Sequence, residues 1–455
     1  MGEIKVIREK QQMFFSRGIT RDINFRKEAL RKLRKVIIEK EDKIAAALKS
    51  DLNKSSFEGY ATETGLVLNE IGYFLKKTAS LSRKKRVSTP VFAWPSSSYV
   101  VMEPLGQVFI ISPWNYPFNL ALVPLVGAVA AGNVVLLRPS GRSPATNAVI
   151  REIIKDSFNE EHVAVADCDS LTSEKALALK WDLIFFTGST DVGKKVCQMA
   201  AGNLTPLVLE LGGKCPAIVE DDASVKIAAK RIVWGKLINA GQTCIAPDYL
   251  LVNKRVKNEL ITEMQTAVKN FYGENPAENP DYPRIVSEKA FERLLSYIDS
   301  ENVISGGRYR REALSLEPTL LNATFSDRCM QDEMFGPILP VIEYGELEEA
   351  IGLITKTEKP LAVYFFSNSR EKQKRILRET SSGACLFNDV IMHIANDNLP
   401  FGGVGASGSG RYHGYESFRT FSNIKAVMNS SPYIDIPIKY PPFGRWEKII
   451  RMILR

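Results

Sequence analysis

Two short segments contain side chains that could perform covalent chemistry together. Residues 207–214 include a carboxylate, Glu210, and residues 239–244 end on a thiol, Cys244. Desolvation in an apolar stretch raises the pKa of a carboxyl group, whereas nearby N–H donors lower the pKa of a thiol. We therefore predict a nucleophile, Cys244, with a separate base, Glu210. Taken singly, each residue could be structural, because a free cysteine usually packs as a small hydrophobic residue.

Few other groups are available for acid–base or metal chemistry. The chain has three histidines, His162, His393 and His413, and no two have the spacing of metal ligands. A cysteine–histidine dyad stays open but nothing in the sequence supports it, so base catalysis falls to a carboxylate. Six cysteines without a Cys-x-x-Cys pair favour a reducing cytoplasm and argue against structural zinc.

The bulk properties indicate a globular protein of two or three structural units. The 455 residues exceed the size at which one core keeps growing, with 45% hydrophobic and 25% charged residues. The net charge of +8 resides in two segments, residues 83–86 and 439–455. Neither segment interleaves basic with aromatic residues, so we expect no nucleic-acid partner and interpret residues 83–86 as a solvated surface at a helix end.

Alternating strands and helices are predicted for most of the chain. Amphipathic helical patterns over residues 25–48 and about 60–81 come first, and residues 89–101 are interpreted as extended or hairpin chain. Later strands alternate with helices, which is typical of parallel sheets covered by helices. The predicted strands are 108–112, 134–138, 163–166, 183–186, 249–252 and 362–367, and the predicted helices are 121–131, 147–158, 224–238, 257–271, 287–302 and 370–380.

A turn at residues 187–193 could bind a phosphate group. It follows an apolar strand and precedes a helical pattern that runs to about residue 201. A helix N-terminus favours an anion through its free N–H groups and its dipole. The turn has only Gly188 and Gly193 and is not the Gly-x-Gly-x-x-Gly fingerprint, so a plain tight turn is an equally good interpretation.

Residues 104–137 carry no charge and could suggest a membrane span. Four prolines interrupt the stretch, so we expect strand, loop, helix and strand instead of a spanning helix. Residues 1–10 are of mixed charge, which is not the pattern of a secretory signal. The prediction is a cytoplasmic protein.

Seven motifs resemble those of the aldehyde dehydrogenases, in the family's order. The resemblance runs from about Phe14 to Trp446 and is closest to the class 3 branch of fatty and aromatic aldehyde dehydrogenases. Glu210 and Cys244 are 34 residues apart, as the family's base and nucleophile are. The motifs are Ser112-Pro113-Trp114-Asn115-Tyr116-Pro117, Phe186-Thr187-Gly188-Ser189, Leu209-Glu210-Leu211-Gly212-Gly213-Lys214, residues 239–244, Glu333-Met334-Phe335-Gly336-Pro337, Asn388-Asp389, and Leu399-Pro400-Phe401-Gly402-Gly403-Val404-Gly405.

The resemblance implies a catalytic sequence. Cys244 would attack the aldehyde, and the Asn115 amide and the backbone N–H of Cys244 would stabilise the oxyanion. Loss of hydride to a nicotinamide would leave a thioester, which Glu210 would hydrolyse through water. For Asn115 the structural alternative is a loop cap beside two prolines.

The resemblance also implies NAD or NADP as cofactor and a set of residues that bind it. Glu333 would accept hydrogen bonds from the nicotinamide ribose, Phe335 would pack near the ring, and Ser189 would touch the pyrophosphate. The alternative for Glu333 is a solvated acid, and Asn388 could support the active site or cap a strand end. The implied cofactor-binding residues are Pro113, Trp114, Arg138, Ser140, Gly188, Ser189, Gly193, Leu211, Glu333 and Phe335.

One corner departs from the family pattern. Most relatives read Lys-Pro-Ser-Glu after the second strand, where Lys and Glu hold the adenosine ribose, whereas this chain reads Arg138-Pro139-Ser140-Gly141-Arg142. The acid that would repel a 2′-phosphate is absent and a second cation is added. We therefore predict that NADP is used at least comparably to NAD.

The implied fold class is α/β, with a Rossmann-like parallel-sheet cofactor domain, an α/β catalytic domain and a small β oligomerisation segment. Residues 1–86 and 102–209 would bind NAD(P), and residues 210–410 would form the catalytic domain. Residues 87–101 and 411–430 would bridge the subunits of a homodimer, although relatives outside class 3 often form tetramers.

Residues 431–455 would form a basic amphipathic tail. Trp446, Ile449, Ile450 and Ile453 share one face of a predicted helix, opposite basic residues. Both docking on the protein body and a peripheral membrane contact use this pattern, and docking is the favoured interpretation. Liposome co-sedimentation with and without residues 439–455 tests the choice, and equal binding would remove the membrane hypothesis.

The resemblance points to medium- or long-chain aliphatic or aromatic aldehydes. Tyr60, Trp114, Thr243 and Ile245 are candidates to line an apolar substrate tunnel. A CoA-acylating enzyme is the nearest alternative, but such enzymes generally lack the base. A catalytically weak, membrane-associated scaffold and a redox-sensing thiol are further alternatives.

Overall fold

A six-stranded sheet holds the first half of the protein. This computed structural model describes residues 2–167 and 170–454. Neighbouring strands run parallel, except that strand Gly408–Ser409 runs antiparallel to strand Leu207–Glu210. In order across the sheet the strands are Gly408–Ser409, Leu207–Glu210, Leu183–Thr187, Gln107–Ile111, Val134–Arg138 and Val163–Val165.

Helices cover this sheet because its strands are apolar on both faces. Every residue of helix Asn119–Ala131 is buried. Burial inside the protein therefore accounts for the uncharged stretch of residues 104–137. None of the helices in the described ranges is long and apolar enough to cross a membrane. The helices of this half are Gly2–Ser16, Ile23–Glu39, Glu41–Leu52, Ser56–Gly59, Gly65–Leu81, Asn119–Ala131, Pro144–Ser157, Ser170–Leu177 and Thr190–Ala201.

The single helix predicted over residues 25–48 is two helices that meet at Lys40. Lys40 leaves helical geometry, and its ammonium lies 2.6 Å from Glu152 and 3.0 Å from Asp156. The periodicity continues across the break, so the sequence pattern alone did not reveal it. Similarly, residues 60–64 form one π-helical turn before the α-helix Gly65–Leu81.

A seven-stranded sheet holds the second half. Its strands are parallel apart from the edge strand Val303–Ser305. In order they are Val303–Ser305, Thr319–Asn322, Ile338–Tyr344, Tyr249–Asn253, Pro216–Val219, Ala362–Phe366 and Ala384–Phe387. The longer helices of this half are Val225–Leu237, Lys257–Tyr272, Glu288–Leu295, Leu347–Thr355 and Arg370–Glu379.

The helix predicted over residues 287–302 ends at Leu295. The side chain of Asn302 accepts a hydrogen bond from the Asp299 N–H at 3.1 Å and donates to the Tyr297 carbonyl at 3.4 Å. Short polar side chains of this kind offer the backbone an alternative to the helix.

A small antiparallel sheet is separate from the two large sheets. It pairs Lys85–Val87 with Ser97–Pro104, and Ser97–Pro104 with Ser422–Asn429. Helix Gly414–Thr420 leads into its last strand, and a two-stranded ribbon, Tyr309–Arg310 with Ser315–Leu316, completes the strands. The α/β class and the three-part arrangement of sheets are confirmed, while the domain boundaries within the chain stay a prediction.

The tail contains one short helix, Glu447–Ile453. Arg455 lies outside the described residues. Ile449 and Met452 expose 39% and 76% of their surfaces, so this helix leaves apolar side chains open to solvent.

Candidate active site

Cys244 follows a short loop with strained backbone. Helix Val225–Leu237 ends seven residues before it, and Asn239, Ala240 and Gly241 all have positive φ, at 53°, 51° and 75°. For residues other than glycine this conformation costs about 1–2 kcal/mol each. A Cβ on Gly241 would lie 2.2 Å from the carbonyl oxygen of Gly336. The loop that precedes Cys244 is therefore pressed directly against the segment that contains Glu333.

Hydrogen bonds hold this loop in its strained conformation. The Asn239 N–H donates to Glu58 Oε1 at 2.8 Å. The Gln242 amide donates to the carbonyls of Asn239 and Arg284, both at 3.0 Å, and accepts from the Val286 N–H. A fixed loop keeps the Cys244 thiol and backbone N–H in one orientation, which covalent catalysis requires.

Asn115 lies beside the loop that precedes Cys244. Its side-chain amide is buried and donates to the Gln242 carbonyl at 3.0 Å, two residues before Cys244. Its own carbonyl accepts from Asn239 Nδ2 at 2.8 Å and from Lys54 Nζ at 3.0 Å. The structure therefore brings Asn115 and Cys244 together, with one amide hydrogen already bound by protein.

A buried ion pair supports Asn115, and the sequence interpretation missed it. Lys54 and Glu63 are fully buried with Nζ and Oε1 2.6 Å apart. Glu63 also accepts from the N–H groups of Phe118 and Asn119, at 3.1 and 2.8 Å, at the start of helix Asn119–Ala131. Glu63 belongs to a helical pattern in the sequence, where a charge is expected on the solvent face, and Lys54 lies between the two predicted helices.

Glu210 ends its strand with both carboxylate oxygens buried. Neither oxygen has a hydrogen-bond partner among the described residues. Burial raises the pKa of this carboxyl group well above its ordinary value, and the charge of Arg411 opposes the shift only in part. The expected pKa direction is thus confirmed, and the two oxygens stay free to bind another molecule.

The pKa of the Cys244 thiol is raised, so the expectation of a lowered pKa was wrong. Burial is the largest cause, followed by the negative charges of Glu333 and Glu210. Backbone N–H groups of Cys244 and Ile245 oppose the shift but do not overcome it. Deprotonation therefore requires a base or a cation brought into the site.

Glu333 packs against the Gly212-Gly213 turn. A Cβ on Gly212 would lie 2.0 Å from Glu333 Oε2, so only glycine permits this contact. Burial and the charge of Asp248 raise the pKa of Glu333 to about 8. Asp327 and Asp332 are exposed. The interpretation as a solvated acid therefore applies to these two neighbours and not to Glu333.

Three of the ten residues predicted to bind cofactor line one cleft. Gly193, Leu211 and Glu333 border a cavity of about 650 Å³, together with Lys194 and Lys359. A Cβ on Gly193 would lie 2.7 Å from Leu211 Cδ2, so glycine lets the helix approach the strand. The Ser189 side chain makes no capping hydrogen bond to this helix, which leaves hydroxyl and N–H groups for a ligand.

The other seven do not line this cavity. Six of them lie at or just after the carboxyl ends of three adjacent parallel strands. At these ends Ile111 pairs with both Arg138 and Phe186. Ligands of parallel α/β sheets bind at that edge. The six are Pro113, Trp114, Arg138, Ser140, Gly188 and Ser189, and the seventh, Phe335, packs edge-to-face on Trp114 with ring centroids 5.6 Å apart.

The remaining candidates are Asn388 and the residues predicted to line a substrate tunnel. Asn388 hydrogen-bonds both backbone polar groups of Ser367, at 3.0 and 3.1 Å, which matches the strand-end cap. The Thr243 hydroxyl lies 2.6 Å from that of Tyr116. Tyr60 is 48% exposed, whereas Ile245 is 1% exposed, so Ile245 offers little surface to a substrate.

Similarity to known proteins covers almost the whole chain. Residues 14–427 match the family model described as "Aldehyde dehydrogenase family". The chain is 44% identical over 445 residues to the 4,4'-diaponeurosporen-aldehyde dehydrogenase of Staphylococcus aureus, covering 97% of each. It is 39% identical over 451 residues to a Mus musculus protein named "Aldehyde dehydrogenase, dimeric NADP-preferring", covering 97% of this chain and 100% of that one.

The fold agrees with these matches. A solved structure described as "Substrate bound state of Staphylococcus Aureus AldH" superposes with a TM-score of 0.97 at 42% identity, covering 99% of both chains.

Proposed function

The chain belongs to the aldehyde dehydrogenase family and oxidises aldehydes with NAD or NADP, and from that premise we propose that Cys244 is its nucleophile and Glu210 its base. The observation that supports this most is the Glu210 carboxylate, which is buried and has no hydrogen-bond partner among the described residues. Leaving such a group without a partner costs about 1–3 kcal/mol or more. A catalytic role explains why that cost is tolerated.

The first chemical step is attack of the Cys244 thiolate on the aldehyde carbonyl. An oxyanion develops on the resulting thiohemiacetal and needs donors fixed in advance. The Asn115 amide has two hydrogens, and only one is bound to Gln242. The second hydrogen and the backbone N–H of Cys244 are the proposed donors.

Glu210 takes the proton from the water that hydrolyses the thioester. The bound nicotinamide dinucleotide supplies the acceptor for the aldehyde hydride, so that loss of hydride turns the thiohemiacetal on Cys244 into a thioester. The raised pKa of Glu210 brings its basicity nearer to what the proton transfer requires. Glu210 also helps to deprotonate Cys244.

Replacing the base separates the two halves of this mechanism. We expect Glu210→Gln to slow turnover by about 10²–10⁴-fold, because general-base assistance is lost while Cys244 still reacts. Mass spectrometry of the quenched enzyme should then show an acyl adduct on Cys244. Cys244→Ala should give no adduct and no dehydrogenation, and near-normal turnover of Cys244→Ala would refute the proposal.

We propose that NADP is used at least comparably to NAD and that substrates are medium- or long-chain aliphatic or aromatic aldehydes. The corner Arg138–Arg142 contains no acid, so nothing there repels a 2′-phosphate. Kinetics on acetaldehyde, dodecanal and benzaldehyde with both cofactors test both points. An NAD preference in kcat/KM above about 100-fold, or about 2.7 kcal/mol, would contradict the first. The intact Glu210 argues against the CoA-acylating alternative.

We also propose a homodimer joined through the small sheet. Strand Ser422–Asn429 is an edge strand, and Ile424 and Met428 on it expose 44% and 56% of their surfaces. Exposed apolar edges are normally paired or covered. The peripheral membrane contact of the tail stays a prediction, which the exposed apolar residues of helix Glu447–Ile453 support.

A further inference from the structure

Glu70, Asp397 and His413 meet in one place although they are far apart in the chain. Glu70 lies on helix Gly65–Leu81, Asp397 in a loop, and His413 immediately before helix Gly414–Thr420. Each offers one ligand atom, a carboxylate oxygen or an imidazole nitrogen, and these three atoms all lie within 4.8 Å of one another. The proposed mechanism uses none of the three side chains.

The imidazole of His413 is buried and has no polar partner. The residue is 6% exposed, and its ring packs on those of Phe401 and Tyr412 with centroids 5.4 and 4.4 Å apart. Its backbone N–H donates to the Ser417 hydroxyl at 2.8 Å, but none of the described residues hydrogen-bonds to a ring nitrogen. A buried polar group without a partner is costly. The imidazole is therefore free for a ligand that lies between it and the two carboxylates.

The two carboxylates are oriented by hydrogen bonds but lack a compensating charge. Glu70 is 1% exposed and accepts from the Gly414 N–H at 3.0 Å. Asp397 accepts from Asn69 Nδ2 at 2.7 Å. Within the part of the chain that the structure describes, no lysine or arginine pairs with either carboxylate. Buried charges are normally paired or coordinate a metal, so this cluster has room for a cation.

A second group of three acids shows the opposite situation. Glu220, Asp221 and Asp222 also place their ligand atoms within 4.8 Å of one another. However, Lys372 forms an ion pair with each of them, and Arg255 Nη1 lies 2.6 Å from Asp221 Oδ2. The protein itself compensates the charge of this second group, which therefore needs no ion.

We propose that Glu70, Asp397 and His413 bind a divalent transition-metal ion, and that Zn²⁺ fits the site best. Histidine nitrogen and carboxylate oxygen bind Zn²⁺ at about 2.0–2.2 Å, which places two ligand atoms about 3.5 Å apart, so the cluster needs to close by only about 1 Å. A water molecule completes the tetrahedron. Asp397 is half-buried, which leaves a path from solvent. Mg²⁺ and Ca²⁺ prefer oxygen ligands alone, so the imidazole argues against them.

The ion fastens a segment that packs on the proposed base. Phe401 and Tyr412 exchange two backbone hydrogen bonds, at 3.0 and 2.9 Å, and the two loop ligands lie on one side of this contact. On its other side, a Cβ on Gly402 would lie 3.0 Å from Glu210 Oε1. Because an ion that binds only the folded state stabilises it, we expect bound Zn²⁺ to raise the melting temperature.

Metal content and thermal stability test the proposal. The full chain is studied as Cys244→Ser, because cysteine thiolates also bind zinc, and is freed of metal with a chelator before dialysis against Zn²⁺. We expect one Zn²⁺ per chain and a higher melting temperature. Asp397→Asn and His413→Gln should each weaken the affinity at least tenfold and abolish the rise in melting temperature. Asp221→Asn, from the group that Lys372 compensates, is the matched control and should bind Zn²⁺ as the parent does.

The other outcomes overturn the proposal. These are no Zn²⁺ bound by the parent, or equal affinities in the parent, Asp397→Asn and His413→Gln. Co²⁺ in place of Zn²⁺ reports a sulfur ligand by its charge-transfer absorption, and such a band would place the ion on another cysteine. If His413→Gln does not fold, Asp397→Asn decides, because it changes a half-buried loop residue and keeps the acceptor for Asn69. The site is separate from Cys244, so its failure would leave the proposed function intact.

Discussion

Three ionisable side chains determine the chemistry at the residue scale. Glu210 is buried, Glu333 and Cys244 are half-buried, and burial is the largest cause of the raised pKa of each. The two carboxylates also oppose formation of the thiolate. The proposed nucleophile, Cys244, is thus held as a thiol until a base acts or a positive charge approaches, which protects it from unwanted oxidation.

Removing one of these carboxylates should make the thiol more acidic. We expect Glu333→Gln to lower the pKa of Cys244, since the negative charge of Glu333 is, after burial, the largest cause that raises it. The pH dependence of iodoacetamide alkylation at Cys244 measures it, with Cys244→Ser as the background for the other thiols. The thiolate form should then persist to lower pH, and an unchanged or upward shift would contradict this account.

At the scale of elements, the site depends on contacts between segments distant in sequence. The π-helical turn Tyr60–Thr64 supplies Glu63, which holds the N-terminus of helix Asn119–Ala131 and pairs with Lys54. Lys54 in turn fixes the carbonyl of Asn115. The proposed oxyanion donor is therefore positioned by an ion pair that contacts no reacting atom.

Breaking this pair should affect stability and turnover together. Glu63→Gln leaves Lys54 charged and buried without its partner, which costs about 3–5 kcal/mol of the free energy of unfolding. Urea denaturation measures the loss, and kcat should fall because Asn115 is no longer fixed. Glu28→Gln removes a carboxylate that pairs with Arg31 on the surface and should change stability by less than about 1 kcal/mol. Equal losses in the two variants would contradict the proposed role.

At the scale of the whole molecule, the site lies where the two large sheets meet. Glu210 ends a strand of the six-stranded sheet, and residues 211–215 lead the chain into the seven-stranded sheet. Cys244 and Glu333 lie in loops that precede strands Tyr249–Asn253 and Ile338–Tyr344 of the second sheet, and Asn115 lies in the loop after strand Gln107–Ile111 of the first. The small third sheet contributes no residue to this site and presents an open edge strand.

The open edge predicts a dimer that can be disrupted. Ile424→Lys combined with Met428→Lys places two charges on the exposed strand and should weaken dimerisation at least tenfold, or about 1.4 kcal/mol. Sedimentation velocity over a range of concentrations measures it. Leu377→Lys, on helix Arg370–Glu379 and 62% exposed, is the matched control and should leave the dimer intact. A wild-type sedimentation profile in the double variant would exclude this strand as the interface.

Elements with strong local patterns were predictable from the sequence. The apolar strands Val134–Arg138 and Leu183–Thr187 and the helix Val225–Leu237 lie within a residue or so of their expected bounds, because hydrophobic periodicity is a local property. The breaks at Lys40 and Leu295 were not predictable, since the first accompanies contacts of Lys40 with carboxylates of another helix and the second a side-chain turn.

The sequence by itself determined the family and which residues could react: Cys244, Glu210 and Asn115 are recognised by their motifs and order. Only the tertiary structure decided their electrostatics. The raised pKa of Cys244 and the hydrogen bonds of Asn115 with Gln242 and Lys54 all result from groups far apart in the chain. Charges act through space and desolvation depends on the whole fold, so neither can be read from a local pattern of residues.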